Sequence, residues 1–153
     1  MRKLITYLLF VAACVAIGVL SGIANMPGEW YQALEKPPLN PPNWIFGPVW
    51  AALYVMIGTA LAETWFDDNN NRRRRLVVFA LQGVLNICWS PAFFSMQNPP
   101  LALAIIIPML LLILLFIAMS WVPNRKAALL FVPYALWVGF ATYLNLAIVL
   151  LNP

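Results

Sequence analysis

Five runs of roughly twenty apolar residues take up most of this chain, and their length decides which solvent it folds in. A bilayer's hydrocarbon core is about 30 Å thick and an α-helix rises about 1.5 Å per residue, so about twenty residues cross it. The runs read as spans over 4–24, 45–66, 76–94, 101–121 and 127–151. A composition of 63% hydrophobic and 9% charged residues agrees, since 153 residues could not hide that much apolar surface from water. The period-two alternation of a membrane barrel is missing, and an open sheet would leave backbone groups unpaired in lipid. The expected fold is an all-α integral membrane protein: one five-transmembrane-helix bundle over 1–153, with a long first loop, 25–43, acting as a lid.

The first span carries a second reading. Met1-Arg2-Lys3, an apolar stretch and the small residues Ser21-Gly22-Ile23-Ala24 also fit a secretory signal. Against that, the stretch is long enough to span, and Gly18 and Gly22 form a small-xxx-small pattern suited to helix packing.

Alternating spans put Arg2, Lys3, Arg72 to Arg75, Arg125 and Lys126 on one face and only Lys36 on the other, eight of the nine basic residues. The positive-inside bias then places the N-terminus in the cytoplasm of a bacterium, if the membrane is its inner one. Read this way, the net charge of +4 reports topology. With no soluble domain to present the arginine run, nucleic acid is not an expected partner; the lipid bilayer is.

The polar inventory excludes much chemistry. Histidine is absent, which removes the usual haem ligand, the commonest zinc ligand and the usual general base. Cys14 and Cys88 fall inside spans, where no disulfide is implied. The acids Glu29, Glu35, Glu63, Asp67 and Asp68 all lie in loops or near span ends, so a proton-coupled exporter lacks its mid-membrane carboxylate. No catalytic residue, metal site or cofactor is expected.

The first loop stands apart by its length, because connections beyond about 12 to 15 residues in a compact domain tend to be functional. Pro27, Pro37, Pro38, Pro41 and Pro42 stiffen it, and Trp30-Tyr31-Gln32-Ala33-Leu34 can form a short amphipathic turn between them. Two readings stand: a lid, or a loop resting on the headgroups with Trp30 and Tyr31 as anchors.

Depth ties this loop to the tryptophans. Span two starts on the lid side, so Trp50 lies about 9 Å below that surface. Span three ends there, placing Trp89 and Ser90 at similar depth and Asn86 a turn deeper, and span five brings Trp137 near mid-membrane with Ala141 above it. Trp50 and Tyr54, then Asn86, Trp89, Ser90 and Phe93, then Tyr134, Trp137, Ala141 and Asn145 recur at helical spacing. Such stripes serve either as bundle core or as a cavity wall. Asn86 favours the cavity, being costly in hydrocarbon unless paired, although it and Gln82 could equally bond to a neighbouring helix. Trp44, Trp65 and Trp121, at span ends, read as interface belt residues.

Four motifs in this order resemble the tryptophan-rich sensory proteins, the TspO/MBR family that includes the mitochondrial translocator protein: W-Y-x-x-L-x-K-P from Trp30 to Pro37 with Pro41-Pro42; Gly47-Pro48-Val49-Trp50; Asn86-x-x-Trp89-Ser90-Pro91-x-Phe93-Phe94; and Val132-Pro133-Tyr134-x-x-Trp137-x-x-x-Ala141-Thr142-x-x-Asn145. The resemblance implies a five-helix bundle, commonly a homodimer, whose pocket under the first loop binds porphyrins, above all protoporphyrin IX, and similar hydrophobic ligands. Mapped residue by residue, its pocket is Tyr31, Pro41, Phe46, Trp50, Tyr54, Asn86, Trp89, Ser90, Trp137 and Ala141. Two departures matter. Leu39 stands where relatives often have another tryptophan, and no Lys or Arg follows Tyr143, so the proposed cholesterol pattern is absent.

Three functions follow as expectations: a porphyrin-binding receptor or transporter with a sensory role in tetrapyrrole metabolism or stress; light-dependent porphyrin degradation using Trp50 and Trp137; or a membrane scaffold. Lys36 or loop amides are the expected partners of ligand carboxylates, and the lack of histidine favours metal-free porphyrin over haem.

Overall fold

The computed structural model describes residues 1–153. Its helices are α1 (Arg2–Ala24), the short α2 (Glu29–Ala33), α3 (Asn43–Trp65), α4 (Arg72–Ser90), α5 (Pro99–Ser120) and α6 (Arg125–Leu151); α4 runs on into a π-helical turn, Pro91–Ser95. The five longer helices are each long and apolar enough to cross a membrane. The five expected spans are all present, and no strand occurs.

Several ends differ from the sequence reading for local reasons. Helix α5 begins at Pro99, two residues early, because the Asn98 side chain accepts the Leu101 N–H at 3.0 Å and Pro99 and Pro100 occupy first-turn positions whose N–H groups would find no helical partner. Asn124 caps α6 in the same way through the Ala127 N–H at 3.1 Å. Helix α4 starts at Arg72 rather than 76, so the arginine run is helical. Arg75 is fully buried and pairs with Asp67, whose side chain is 12% exposed; two of its nitrogens, Nε and Nη1, have no protein acceptor. Only Arg72, Arg73 and Arg74 of the run are exposed.

The helices form a ring in the order α1, α3, α6, α5, α4, closed by a light contact between α4 and α1. In lipid, close packing rather than exclusion of water selects such contacts, which rewards small residues where backbones meet. Ala60, Ala102, Ala127 and Ala128 are accordingly sealed between helices. The main core joins α3, α4, α5 and α6 through Ile57, Val78, Ile113, Phe116, Phe131 and Tyr134. Phe116 and Phe131 lie 4.2 Å apart between ring centroids. A smaller cluster at the other end gathers Tyr31, Ala92, Phe93, Ala102 and Ile148.

Helix α1 buries no residue completely and packs mainly on α3. A Cβ on Gly58 would meet the backbone of Phe10 and Val11, and one on Gly18 would strike the Tyr54 ring. Close packing thus uses Gly18 and Gly58. Gly22, the second half of the small-residue pattern, has nothing within 4 Å of where its Cβ would be.

Lys3 lies over Phe66, Arg125 over Trp121, and the Asn124 amide donates to the Glu63 carbonyl at 3.0 Å. The basic residues outside the lid therefore share one end of the bundle. The lid covers the other. Trp44, Trp65 and Trp121 are 74%, 50% and 42% exposed at helix ends, as an interfacial belt requires.

Candidate ligand cavity

Inside the ring, toward the lid, lies a cavity of about 440 Å³. Its walls carry the aromatic stripes. Of the ten residues expected there, Tyr31, Phe46, Trp50, Tyr54, Asn86, Trp89, Ser90, Trp137 and Ala141 line it, and Pro41 does not. Pro41 instead sits just before α3, where its carbonyl accepts the Asn40 amide at 3.2 Å. Helical spacing oriented Trp50, Tyr54, Asn86, Trp89, Ser90, Trp137 and Ala141, whereas Tyr31, Phe46 and Pro41 followed from the family resemblance alone, and no periodicity fixes the direction of a loop proline.

The rings form a continuous surface. Trp50 stacks on Tyr54 at 5.5 Å and meets Tyr134 edge-on at 6.2 Å. Phe46 packs edge-on against Trp137 at 5.8 Å. Trp89 stacks on Phe93 at 5.2 Å, and Phe93 and Phe94 both contact Tyr31 of the lid. The π-helical turn makes this last group possible. The Met96 N–H bonds to the Pro91 carbonyl five residues back at 2.8 Å, which widens the helix and turns Phe93 and Phe94 under the lid.

Asn86 is resolved from its two readings by its partners. The Tyr54 hydroxyl donates to its Oδ1 at 2.7 Å, and its amide donates to the Tyr134 oxygen at 2.8 Å. Tyr134 donates in turn to Gln82 Oε1 at 2.9 Å, and the Gln82 amide donates to the Phe79 carbonyl at 2.9 Å. A relay of polar groups from α3, α4 and α6 thus crosses the floor of the cavity with its members mutually satisfied, the condition under which such groups are tolerated in lipid. Asn145 performs a similar service nearer the lid, accepting the Trp89 indole N–H at 3.1 Å and donating to the Pro99 carbonyl at 2.9 Å. One donor is left over: the Trp137 Nε1 is buried and has no acceptor.

The lid is fastened rather than draped. The Asn152 side chain accepts the Glu35 N–H and donates to the Glu35 carbonyl, both at 3.0 Å, tying the loop to the end of α6. Tyr31, buried between lid and bundle, reaches Asn40 at 3.4 Å; burial raises its phenol above the ordinary value, outweighing the opposite effect of that bond. Lys36 does not line the cavity. Its ammonium donates to the Gln32 and Leu34 carbonyls at 3.1 and 3.2 Å and lies 4.8 Å from the Tyr31 ring centroid, so it caps the lid helix instead of waiting for a carboxylate. Leu39 is 66% exposed and takes no part.

Sequence reasoning missed the contributions of α5, whose Ile106 and Met109 line the cavity, and of α1. Both helices are apolar all round, so nothing in their pattern marks an inner face. Asn152 gave no signal beyond being polar at the end of a long apolar run.

The sequence profile of the TspO/MBR family matches residues 10–151. Tryptophan-rich protein TspO of Chlorobaculum tepidum is 40% identical over 159 residues, covering 99% of each chain. Tryptophan-rich sensory protein of Cereibacter sphaeroides is 35% identical over 146 residues, covering 95% of this chain and 90% of that protein. Translocator protein of Bos taurus is 34% identical over 139 residues, covering 85% and 80%. With its five spans, its aromatic cavity and this similarity from end to end, the chain is a multi-pass membrane protein that belongs to the TspO/MBR family.

Proposed function

We propose that this protein is a membrane receptor that holds a flat, largely apolar molecule of the porphyrin class in the cavity beneath its lid, and that it acts in sensing or handling tetrapyrroles. The observation that carries the reading is the cavity itself: about 440 Å³ walled by indole, phenol and phenyl rings from separate helices. That volume falls within the range of about 300–1,000 Å³ usual for small-molecule sites. Ring faces bury a planar macrocycle at about 25 cal/mol per Å² of apolar area. The unpartnered Trp137 N–H supplies a direction, since a buried donor without an acceptor costs about 1–3 kcal/mol that a ligand acceptor would recover.

In this reading Tyr31, Phe46, Trp50, Tyr54, Asn86, Trp89, Ser90, Trp137 and Ala141 contact the ligand. Lys36 is not assigned to the carboxylates of a porphyrin; backbone amides of the loop remain for them. A cytoplasmic N-terminus and a homodimer belong to the same proposal, the first supported by the basic end of the bundle and the second by family membership.

Titration of the protein in nanodiscs with protoporphyrin IX, followed by tryptophan quenching, tests the reading. Saturation at one porphyrin per chain, weakened in Trp137→Phe, is the expected result; a linear, unsaturable signal equal to that of empty nanodiscs would overturn it. Illumination of the saturated complex tests the degradation alternative, for which bleaching must disappear in Trp50→Phe while binding persists.

A further inference from the structure

Helices α1 and α3 touch along one face each. On α1 this face runs Val11, Val15, Gly18, Gly22; on α3 it runs Gly58, Tyr54, Ala51, Gly47, at the three- and four-residue steps of a helix. In the half away from the lid the faces interlock, with Gly58 against the Val11 backbone and Gly18 beneath the Tyr54 ring. Above Gly18 the same two faces leave open space between them at Gly22 and Gly47. A Cβ added at Gly22 or at Gly47 would meet nothing within 4 Å. Gly22, Gly47 and Ala51 are all exposed, yet all three line the cavity. So do Val19 and Ile23, which are 50% and 66% exposed. A residue that faces both the cavity and the outside marks a mouth.

The lid is fastened on the opposite flank. Asn152 holds it to α6, and Tyr31 locks it against Phe93 and Phe94 of the π-helical turn. The Ser95 hydroxyl also bonds to Asn25 at 2.5 Å, pinning the upper end of α1 to the α4 side. The flank between α1 and α3 has no comparable tie. It extends from Gly18 to the end of α1, about 9 Å along the axis, within the leaflet on the lid side.

We propose that this fissure is a lateral portal through which a lipophilic ligand dissolved in the lid-side leaflet passes directly between bilayer and cavity, without crossing the lid. Its rims are glycine, alanine and aliphatic side chains, which present no charge to a lipid-borne molecule. The lid then acts as a fixed roof, and the rate of exchange depends on the gap between two helices. The proposal rests on the receptor reading above, and its test separates the two.

Protoporphyrin IX is delivered from phosphatidylcholine donor vesicles to the full chain in nanodiscs, and its association and dissociation are followed by tryptophan quenching. Gly22→Leu and Ala51→Phe fill the gap and are expected to slow both rates about tenfold together, while Gly83→Leu, on an open surface of α4 away from the cavity, leaves them as in the parent. Unchanged rates in both filled variants would overturn the portal and leave the receptor reading standing. So would acceleration by Asn152→Ala that the fillings fail to slow, because the ligand would then be passing under the lid. Absence of saturable binding in the parent chain would sink the receptor reading instead. A measurement without ligand then decides the portal: a nitroxide attached at Ala51→Cys, with Cys14 and Cys88 replaced by Ser, is expected to collide freely with oxygen and rarely with an aqueous nickel chelate. Protection from both would show the flank sealed.

Discussion

Asn86 concentrates the chemistry of the site in one side chain. It joins hydroxyls from two other helices, and its replacement by Leu leaves the Tyr54 hydroxyl without its acceptor and removes one donor from the Tyr134 oxygen, which keeps its bond to Gln82. At about 1–3 kcal/mol for each buried group left unpaired, Asn86→Leu should lower the melting temperature in detergent, and Tyr134→Phe should do so as well because Gln82 loses its donor. A thermal melt of the two variants beside the parent checks this. Histidine is missing from the entire chain, so iron in a bound porphyrin would lack its usual protein ligand. Metal-free protoporphyrin IX should therefore bind more tightly than haem in parallel titrations, with no axial-ligand shift in the iron spectrum. Residues such as Trp50, Trp89 and Trp137 were legible in the sequence because helical spacing and distance from a common membrane face fix both direction and depth. Pro41 and Lys36, which do not line the cavity, could not be oriented in this way because a loop offers neither ruler.

Among the elements, the lid and the basic end of the bundle each depend on a tie that no periodicity announces. Asn152 bonds to both backbone groups of Glu35. Asn152→Ala removes both hydrogen bonds to the lid, at about 1 kcal/mol each, together with the side chain's bond to the Ile148 carbonyl, and the lid should then exchange its amide protons faster from Tyr31 to Lys36 while the long helices keep theirs, as hydrogen-exchange mass spectrometry would record. At the opposite end Arg75 is buried against Asp67. Partial burial raises the Asp67 carboxyl, but hydrogen bonds from Arg75 and from the Asn69 backbone, the Arg75 charge and the Asn124 amide outweigh it and hold it below the usual range. A carboxyl whose folded value is depressed stabilises the fold above its unfolded value, and that contribution is lost as pH falls through the folded one. Melting temperature should accordingly drop as pH is lowered below about 4, and Asp67→Asn should show little of that dependence. The variant should also lose about 2 kcal/mol at neutral pH, between the values for buried and exposed pairs. The arginine run could be read as a topological signal, whereas burial of its fourth member depended on where α4 begins and which way it turns.

For the molecule as a whole, five apolar runs determined the number of crossings and their alternation, and polar neighbours such as Asn98 and Asn124 set where the helices begin. The ring order, with α1 at the rim and α6 between α3 and α5, was not legible, because helices apolar on every side do not declare which face turns inward. Yet that order creates the space on which the account depends: indoles from α3, α4 and α6 face a void rather than one another. Filling the void tests this most directly. Ala141 lines the cavity, and a phenyl ring placed there should occupy volume a ligand needs while leaving the surrounding helices in register. In nanodiscs, Ala141→Phe is expected to keep the melting temperature of the parent and to lose saturable binding of protoporphyrin IX by at least about tenfold; a variant that folds equally well and binds the porphyrin with undiminished affinity would place the ligand elsewhere and contradict the account.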